Sequence, residues 1–323
     1  MKAIRYYRYG PPDVLALEDV DTPVATDDEV LVRVRAASVN PADFHYMRGT
    51  PYLVRAVAGL SRPKVNGLGL DLAGYVEAVG KNVTTFQPGD EVFGQRLGAF
   101  AEYVRIRHDG GVLTKPANLT FEQAASVPVA GFSALQALRD KGRTQAGHKV
   151  LVNGAAGGVG TFAVQIAKAF GAEVTGVCST RNVELVRSIG ADHVVDYTRE
   201  DFTRTGQRYD VLVDMAGSRT LSEYRRVLAP KGVLVAVGGP VTGLWIAPLI
   251  GPVTMVVLSR FVGQTMTPFL AKANRDDLAV LCELLQSGKV TPVIDRMYPL
   301  SEVPEAIRYL EEGHARGKVV ITV

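Results

Sequence analysis

A glycine-rich segment in the middle of the chain has the residue types and spacing of a phosphate-binding turn. Asn153-Gly154-Ala155-Ala156-Gly157-Gly158-Val159-Gly160 follows the apolar run Val150–Val152 and precedes a helical pattern. Gly157 would let a pyrophosphate approach the backbone, Gly160 would let the helix pack close to the strand, and free N–H groups of the first helical turn would hold negative charge. The alternative is a tight strand–helix turn without a ligand, but glycine at this density costs helix stability. The segment predicts a dinucleotide site that includes Gly157 and Gly160.

The residues after the next apolar strand indicate which dinucleotide binds. A site for NAD carries Asp or Glu there, which hydrogen-bonds the ribose hydroxyls. This chain has Ser179, Thr180 and Arg181 instead, and two hydroxyls with an arginine suit a 2′-phosphate. Tyr197, after the third strand, would stack or hydrogen-bond beside the adenosine. The pattern predicts NADPH, and the alternative for Arg181 is a solvated residue at a helix start.

Composition excludes several other classes of protein. The chain has 323 residues, 47% of them apolar and 21% charged, which is typical of a globular protein of two domains and not of a disordered chain or a coiled coil. A net charge of +3 without a Lys/Arg run gives no indication of a nucleic-acid partner. The cysteines, Cys178 and Cys282, are too few for a disulfide framework or a Cys-rich metal site. We expect both to be reduced and buried.

The hydropathy pattern predicts no membrane-spanning segment. The longest apolar stretch, Leu244–Leu258, is shorter than the roughly 20 residues of a spanning helix, and Pro248 and Pro252 interrupt it. The first residues carry charge and lack the apolar core of a signal peptide. We therefore expect a cytoplasmic protein.

Two kinds of element must position the predicted site. The first hundred residues contain short alternating runs such as Val30–Arg35, separated by turn signals, which predicts a small barrel or sandwich. After about residue 120, apolar strands alternate with helices, including Thr161–Phe170, which is typical of an α/β doubly wound parallel sheet. The expected strands are Lys149–Asn153, Glu173–Cys178, His193–Val195, Asp210–Asp214, Gly232–Val237 and Val253–Ser259.

The alternation ends after residue 264. A helix at Asp276–Gln286, a helix at Pro304–Glu312 and a final strand at Lys318–Val323 are expected there. We expect this tail to return to the first domain. The predicted organisation is therefore a β-rich domain from residues 1–120 and 265–323, and an α/β domain from residues 121–264.

Further segments carry a resemblance to a known family over nearly the whole chain. They are Ala36–Asp43, Gly69–Val76, Pro128–Ala134, Ile189–Asp192 and Gly313–Val320. Together with the glycine-rich segment they resemble the medium-chain dehydrogenase/reductases of the zinc-free quinone oxidoreductase type, and within that type the reticulon-4-interacting-protein and alkenal/one oxidoreductase branch. The resemblance implies a GroES-like domain, a Rossmann domain and NADPH in the cleft between them.

The resemblance also implies which residues contact the cofactor. Within the glycine-rich segment they are Ala156, Gly157, Gly158 and Val159. Outside it they are Ser179, Tyr197, His314, Ala315 and Arg316. We add Ala216 and Gly238 after the fourth and fifth strands, because a cofactor lies at the carboxyl edge of such a sheet.

The same comparison predicts that no zinc binds. Zinc-dependent relatives have Cys, His and Glu where Asn40, Leu70 and Asp71 stand, and a second Cys near Val129. Catalytic zinc needs about three N, S or O ligands, which these residues do not supply. The substrate must then already be electrophilic, as quinones and α,β-unsaturated carbonyls are. Structural roles are expected for Asp43 and Asp71.

Asn40 and Tyr46 are the candidate catalytic residues. The Asn40 amide would donate to the substrate oxygen and Tyr46 would donate a proton. The alternative for Tyr46 and for His45 is loop packing, because an enolate or a reduced quinone takes its proton from water.

Other functions and an unassigned segment remain open. An enoyl-thioester reductase uses the same hydride chemistry, and a non-catalytic NADPH-binding sensor or interaction protein would bind the cofactor without turnover. The stretch Leu244–Leu258, with Trp245, would form a lid, a dimer contact or a membrane-adhesive surface. We expect a homodimer, because edge strands in the resembling family commonly pair across a dimer.

Overall fold

The chain forms two compact units. A computed structural model describes residues 1–238, 247–259 and 262–323, and for residues 247–252 it describes the backbone alone. The β-rich unit contains residues 1–132, 273–286 and 292–323. The parallel-sheet unit contains residues 133–272 and 287–291.

The strands and helices of the described residues follow in chain order. The strands are β1 (Lys2–Arg5), β2 (Ala16–Asp19), β3 (Glu29–Val39), β4 (Asp71–Val79), β5 (Glu91–Gln95), β6 (Tyr103–Arg107), β7 (Val112–Thr114), β8 (Lys149–Asn153), β9 (Glu173–Cys178), β10 (His193–Asp196), β11 (Tyr209–Asp214), β12 (Leu228–Ala236), β13 (Thr265–Pro268), β14 (Ile294–Pro299) and β15 (Lys318–Thr322). The helices are α1 (Pro41–Arg48), α2 (Leu53–Ala58), α3 (Phe121–Ala125), α4 (Pro128–Gln136), α5 (Gly158–Ala169), α6 (Val183–Ser188), α7 (Leu221–Val227), α8 (Ala247–Ser259), α9 (Arg275–Gln286) and α10 (Val303–Glu311).

The β-rich unit is organised around the long strand β3. Val30, Val32 and Val34 are buried while Arg33 and Arg35 are exposed, because side chains alternate between the two faces of a strand. β3 pairs antiparallel with β4, β6 and β15 in a sheet of order β14-β15-β3-β4-β5-β7, and β1 pairs with β2 in a second sheet. The period of two read from the sequence is confirmed for β3.

The C-terminal residues complete this sheet. In β15, Val319, Val320 and Ile321 are buried and pair with Val39, Ser38 and Ala37 of β3. Val319 and Ile321 therefore lie in the same core cluster as Ala3 and Ile4 of β1. β13, in contrast, lies beyond the predicted boundary at residue 264 but pairs with β12 of the parallel-sheet unit.

The parallel-sheet unit holds six parallel strands in the order β10-β9-β8-β11-β12-β13. Leu151, Leu212 and Leu234, on three of the four inner strands, are fully buried, as expected where helices cover both faces of a sheet. The predicted doubly wound parallel sheet is confirmed. The order reverses between β8 and β11, and ligands of such sheets bind at the carboxyl edge beside that reversal.

The predicted sixth strand at Val253–Ser259 is wrong. These residues form the C-terminal part of α8, and the sixth strand is β13. Met255 and Leu258 pack on the unit's core while Val253, Val256 and Val257 are exposed, which is the period of a helix. Short β-branched runs do not distinguish a strand from a helix by sequence. Residues 244–246, including Trp245, lie outside the described residues.

The described residues contain no helix that is both long and apolar enough to cross a membrane.

Candidate active site

The glycine-rich segment forms the turn between β8 and α5. Gly154 has a φ of +89°, a left-handed conformation that glycine adopts without strain. A Cβ on Gly160 would lie 2.1 Å from the carbonyl oxygen of Gly154. The turn can therefore close onto the first turn of α5 only with glycine at position 160, which is the packing role predicted for it.

Gly157 is different, because the protein itself leaves room for a side chain there. Among the described residues, a Cβ at this position would meet only the Gly154 oxygen, at 3.5 Å. Gly157 is the residue immediately before α5, and no side chain caps this helix end. The first N–H groups of a helix lack partners within the helix and attract anions. The open space and the uncapped helix end together fit a pyrophosphate.

Two hydrogen bonds hold this turn beside the end of β9. The N–H groups of Gly154 and Ala155 both donate to the carbonyl oxygen of Val177, at 3.2 and 3.0 Å. Ser179 follows β9 directly and accepts a hydrogen bond from the Asn182 amide at 3.2 Å. The structure thus brings the predicted pyrophosphate turn and the predicted ribose edge together at one edge of the sheet.

The predicted adenosine contacts lie on two adjacent turns. Arg181 is exposed on the short 3₁₀ turn after β9. Tyr197 follows β10, is 54% exposed, and donates its N–H to the carbonyl oxygen of Cys178 at 3.0 Å. Register places Asp196 opposite Cys178, so both turns begin at the same level of the sheet.

Asp196 is a charged residue of this edge that the sequence interpretation missed. Its carboxylate accepts hydrogen bonds from the Thr180 hydroxyl at 2.6 Å and from the Thr198 hydroxyl at 2.7 Å. The Thr180 hydrogen bond lowers the pKa of Asp196. The Arg199 guanidinium, 3.4 Å away, offsets the negative charge. The prediction considered only the end of the second strand for a carboxylate, whereas this one comes from the third.

A buried network positions the turn after β11. One oxygen of Asp214 accepts the Asn153 amide at 2.8 Å and the N–H groups of Ala216 and Gly217 at 3.2 and 3.1 Å. Burial raises the pKa of Asp214, although these donors act in the opposite direction. The N–H of Gly238 donates to the Asp214 carbonyl at 3.3 Å. Ala216 and Gly238 therefore lie on neighbouring turns at the same edge of the sheet as the glycine-rich segment.

In the β-rich unit, a buried ammonium group lies at the centre of a polar cluster. The Lys318 ammonium donates to the Asn40 side-chain oxygen at 2.6 Å and lies 3.5 Å from the Asp71 carboxylate. Asp71 also accepts the Asn40 amide at 3.0 Å and the Ser38 hydroxyl at 3.1 Å. All four residues are buried. Burial lowers the pKa of Lys318 and raises that of Asp71, while the opposite charge of each partner counteracts the shift.

The cluster fixes the backbone around it. The second oxygen of Asp71 accepts the N–H of Val129 at 3.1 Å, which holds the start of α4. Asp43 accepts the N–H of Asn40 at 2.7 Å, which holds the start of α1. Burial raises the pKa of Asp43 to about 7. Asp43 and Asp71 thus make the structural hydrogen bonds expected of them.

Asn40 already uses both of its amide hydrogens. They are donated to the Ser38 carbonyl at 3.2 Å and to Asp71 at 3.0 Å, and only 2% of the residue is exposed. Donation to a substrate oxygen would require the loss of one of these bonds. Tyr46 is half-buried on α1 and packs against the unit's core. His45 contacts the Thr50 carbonyl through Nδ1 at 2.8 Å, and burial lowers its pKa.

His314, Ala315 and Arg316 connect α10 to β15 in the β-rich unit. The N–H of Arg316 donates to Asp295 at 2.9 Å, and the Tyr309 hydroxyl donates to the same carboxylate oxygen at 2.6 Å. This turn is therefore held in place without a ligand, and its contact with a cofactor remains a prediction.

The positions at which zinc-dependent relatives are expected to have metal ligands make other contacts in this protein. Asn40 and Asp71 contact an ammonium group, and Val129 contributes an N–H. Within the ranges that the structure describes, no three His, Cys, Asp or Glu side chains are grouped so that they would hold a metal ion. Lys318 and Ser38 are the residues of this cluster to which the sequence interpretation gave no role. For Lys318, a lone lysine at the head of an apolar strand was a visible signal.

Comparison with known proteins places the chain in a family. Residues 26–117 match the alcohol dehydrogenase GroES-like domain, and residues 189–321 match the zinc-binding dehydrogenase family. The chain is 37% identical to 2-methylene-furan-3-one reductase of Solanum lycopersicum, over 99% of this chain and 79% of that protein. The chain belongs to the medium-chain dehydrogenase/reductase family.

Two further members define the type. The NADPH-dependent alkenal/one oxidoreductase, chloroplastic, of Arabidopsis thaliana is 35% identical over 99% of this chain and 79% of that protein. The structure of the quinone oxidoreductase from Coxiella burnetii matches with a TM-score of 0.87 and 32% identity, over 100% of this chain and 99% of that one. These similarities confirm the quinone oxidoreductase type, the α/β fold with its GroES-like domain, and an oxidoreductase that uses a nicotinamide cofactor. The choice of NADPH and the absence of zinc remain predictions.

Proposed function

We propose that this medium-chain reductase transfers hydride from NADPH to quinones or α,β-unsaturated carbonyls without a metal ion. The observation that supports it most directly is the turn at Gly157. Its open space and the uncapped start of α5 lie at the sheet edge that also carries Ser179 and Tyr197. Related proteins named as a quinone oxidoreductase, an alkenal/one oxidoreductase and a 2-methylene-furan-3-one reductase match this chain over nearly its full length.

The residues present fit NADPH, which supplies a hydride when bound. The start of α5 would hold the pyrophosphate through its free N–H groups. Ser179 and Arg181 would bind a 2′-phosphate, since a guanidinium forms charge-assisted hydrogen bonds to phosphate oxygens. The remaining work of the protein is orientation and the exclusion of water.

The Lys318 cluster supports an acceptor that needs no metal. Asn40 and Asp71 stand where zinc-dependent relatives are expected to have metal ligands. Their side-chain oxygens contact the Lys318 ammonium group instead. An alcohol or a simple ketone needs strong polarisation of its oxygen, whereas a quinone or an enone is electrophilic by itself. The product takes its proton from water or from Tyr46.

The decisive experiment follows NADPH oxidation by nicotinamide absorbance. The acceptors are an ortho-quinone, a para-quinone, a 2-alkenal and a saturated aldehyde, each also tested with NADH and with a metal chelator. We expect turnover with a quinone or the alkenal, none with the saturated aldehyde, a preference for NADPH, and no effect of the chelator. Turnover of the saturated aldehyde or loss of activity in chelator would contradict the proposal, and binding of NADPH without any turnover would favour a sensor.

The oligomer and the cellular location are further proposals. β13 pairs with β12 at one edge of the six-stranded sheet, and an edge strand is suited to pairing with a second copy. We propose a cytoplasmic homodimer that joins through this edge. Sedimentation equilibrium at the mass of one chain would contradict the dimer.

A further inference from the structure

Apolar and basic side chains share one exposed segment of the β-rich unit. The segment runs from residue 51 to residue 66 and includes α2. Its apolar side chains Val57 and Leu60 are 72% and 80% exposed, and Leu53 and Val65 are also exposed. Leu53 and Val57 are four positions apart on α2 and so lie on one face of that helix, and exposed apolar patches mark sites that contact another body. We call this segment the α2 surface.

The α2 surface is held in a defined conformation. The Arg55 guanidinium lies 4.5 Å from the ring centre of Tyr9 and 4.6 Å from that of Tyr52. The Tyr9 hydroxyl donates to the Gly59 carbonyl at 2.5 Å, and the Lys64 N–H donates to the Ala58 carbonyl at 2.7 Å. These contacts therefore hold in place the backbone that carries the exposed apolar side chains.

The charged side chains of the α2 surface, Arg55, Arg62 and Lys64, are all basic. No Asp or Glu occurs between Asp43 and Asp71 in the sequence. Arg62 and Lys64 are exposed and line a depression of about 470 Å³ together with Tyr7, Pro63 and Asn66. At the margin of this depression, Glu18 accepts a hydrogen bond from the Tyr7 hydroxyl at 2.8 Å. A partner for this surface must then combine negative charge with an apolar interior.

We propose that the α2 surface docks the enzyme on an anionic lipid bilayer. Exposed apolar side chains enter the interface between head groups and acyl chains, and adjacent Lys and Arg bind anionic head groups. A second copy of this chain fits less well, because a symmetric contact would bring Arg62 and Lys64 towards their own equivalents. If the proposed function holds, docking gives the enzyme access to quinones dissolved in the bilayer.

The experiment measures co-sedimentation of the full chain with vesicles of phosphatidylcholine alone or mixed with phosphatidylglycerol. We expect binding to the anionic vesicles that falls as salt rises, and little binding to the neutral ones. The double variants Val57→Ser/Leu60→Ser and Arg62→Glu/Lys64→Glu remove the apolar and the basic part separately. Each should lower the bound fraction, the charge reversal on the order of tenfold or more, since each cation contributes to the attraction.

Val24→Ser is the matched control. Val24 is 79% exposed in the same unit, but it lies in a sequence that contains Asp21, Asp27 and Asp28. The Val24→Ser variant should bind vesicles like the wild type. All variants should keep their turnover of a water-soluble quinone. Absence of binding to anionic vesicles, or equal binding by the α2 variants and the wild type, would overturn the proposal. Failure of the proposed function appears separately, as a lack of turnover with soluble acceptors while vesicle binding persists.

Discussion

At the scale of single residues, Lys318 determines the charge balance of the buried cluster. Asp71 is fully buried, and the Lys318 ammonium group lies 3.5 Å from its carboxylate. A buried carboxylate without a cation is strongly destabilising, because the low-dielectric interior does not replace its hydration. The same lysine holds the Asn40 side chain, so one ammonium group orders two chain segments that are far apart in sequence.

We expect Lys318→Met to lower the free energy of unfolding by about 3–5 kcal/mol, the cost of leaving one buried charge unpaired. Urea denaturation measures it through the midpoint. Lys115→Met is the matched control, because Lys115 is also buried but its ionic partner Glu91 is 42% exposed. The control should lose clearly less. Adding Asp71→Asn to Lys318→Met should recover part of the loss, and equal midpoints for Lys318→Met and the wild type would refute the assignment.

At the scale of elements, two glycines of the turn between β8 and α5 have different surroundings. Gly160 contacts the backbone of its own turn, whereas Gly157 borders open space. The two glycines therefore have different reasons to lack a side chain, although they lie three positions apart in the same motif.

Gly160→Ala and Gly157→Ala should give opposite results. A Cβ at position 160 would be 2.1 Å from the Gly154 oxygen, so overpacking should cost about 1–3 kcal/mol and lower the Tm. A Cβ at position 157 would make only an ordinary contact at 3.5 Å, so the Tm should stay near the wild-type value. We expect Gly157→Ala instead to raise the Kd for NADPH about tenfold, which is about 1.4 kcal/mol.

Thermal melts and titration of NADPH fluorescence distinguish the two variants. A Gly157→Ala protein that binds NADPH like the wild type would remove the pyrophosphate from this turn. A Gly160→Ala protein with an unchanged Tm would show that the turn relaxes more easily than its backbone contacts indicate.

At the scale of the whole molecule, the buried carboxyls make stability depend on pH. Burial raises the pKa of Asp43 from 3.8 to about 7. Between these values the folded chain binds more protons than the unfolded chain, so the contribution of Asp43 falls as pH rises. Burial lowers the pKa of His45 below 6.5, and its contribution therefore rises with pH through that range. The wild-type profile is the sum of these opposing effects.

Asp43→Asn isolates the carboxyl. The variant cannot ionise, so its free energy of unfolding, measured by urea denaturation, should fall less than that of the wild type between pH 5 and pH 7. The difference should change by up to about 1.4 kcal/mol for each pH unit in which the unfolded wild type has lost the Asp43 proton and the folded wild type retains it. The difference between the two profiles removes the effect of His45. Parallel profiles would mean that Asp43 keeps its ordinary pKa in the folded chain.

Much of the candidate site could be predicted because its information is local. The turn at residues 154–160 consists of contiguous residues between one strand and one helix, and backbone geometry requires glycine at positions 154 and 160. The valines of β3 and the strands of the parallel sheet follow from side-chain alternation and apolar runs. The C-terminal part of α8 was predicted as a strand because, over a short window, its β-branched residues fit the period of a strand as well as that of a helix. Only its packing on the core distinguishes the two.

The sequence by itself determined the glycine-rich turn, the parallel sheet and the family type, since each depends on neighbouring residues or on a repeated motif. The tertiary structure alone decided the environment of Asn40. Its partner Lys318 is 278 positions away, and they meet because β15 pairs with β3 while β4 pairs with β3 on its other side. Charges that compensate each other across a sheet leave no pattern in the local sequence, and only the fold shows which buried carboxylate the ammonium group stabilises.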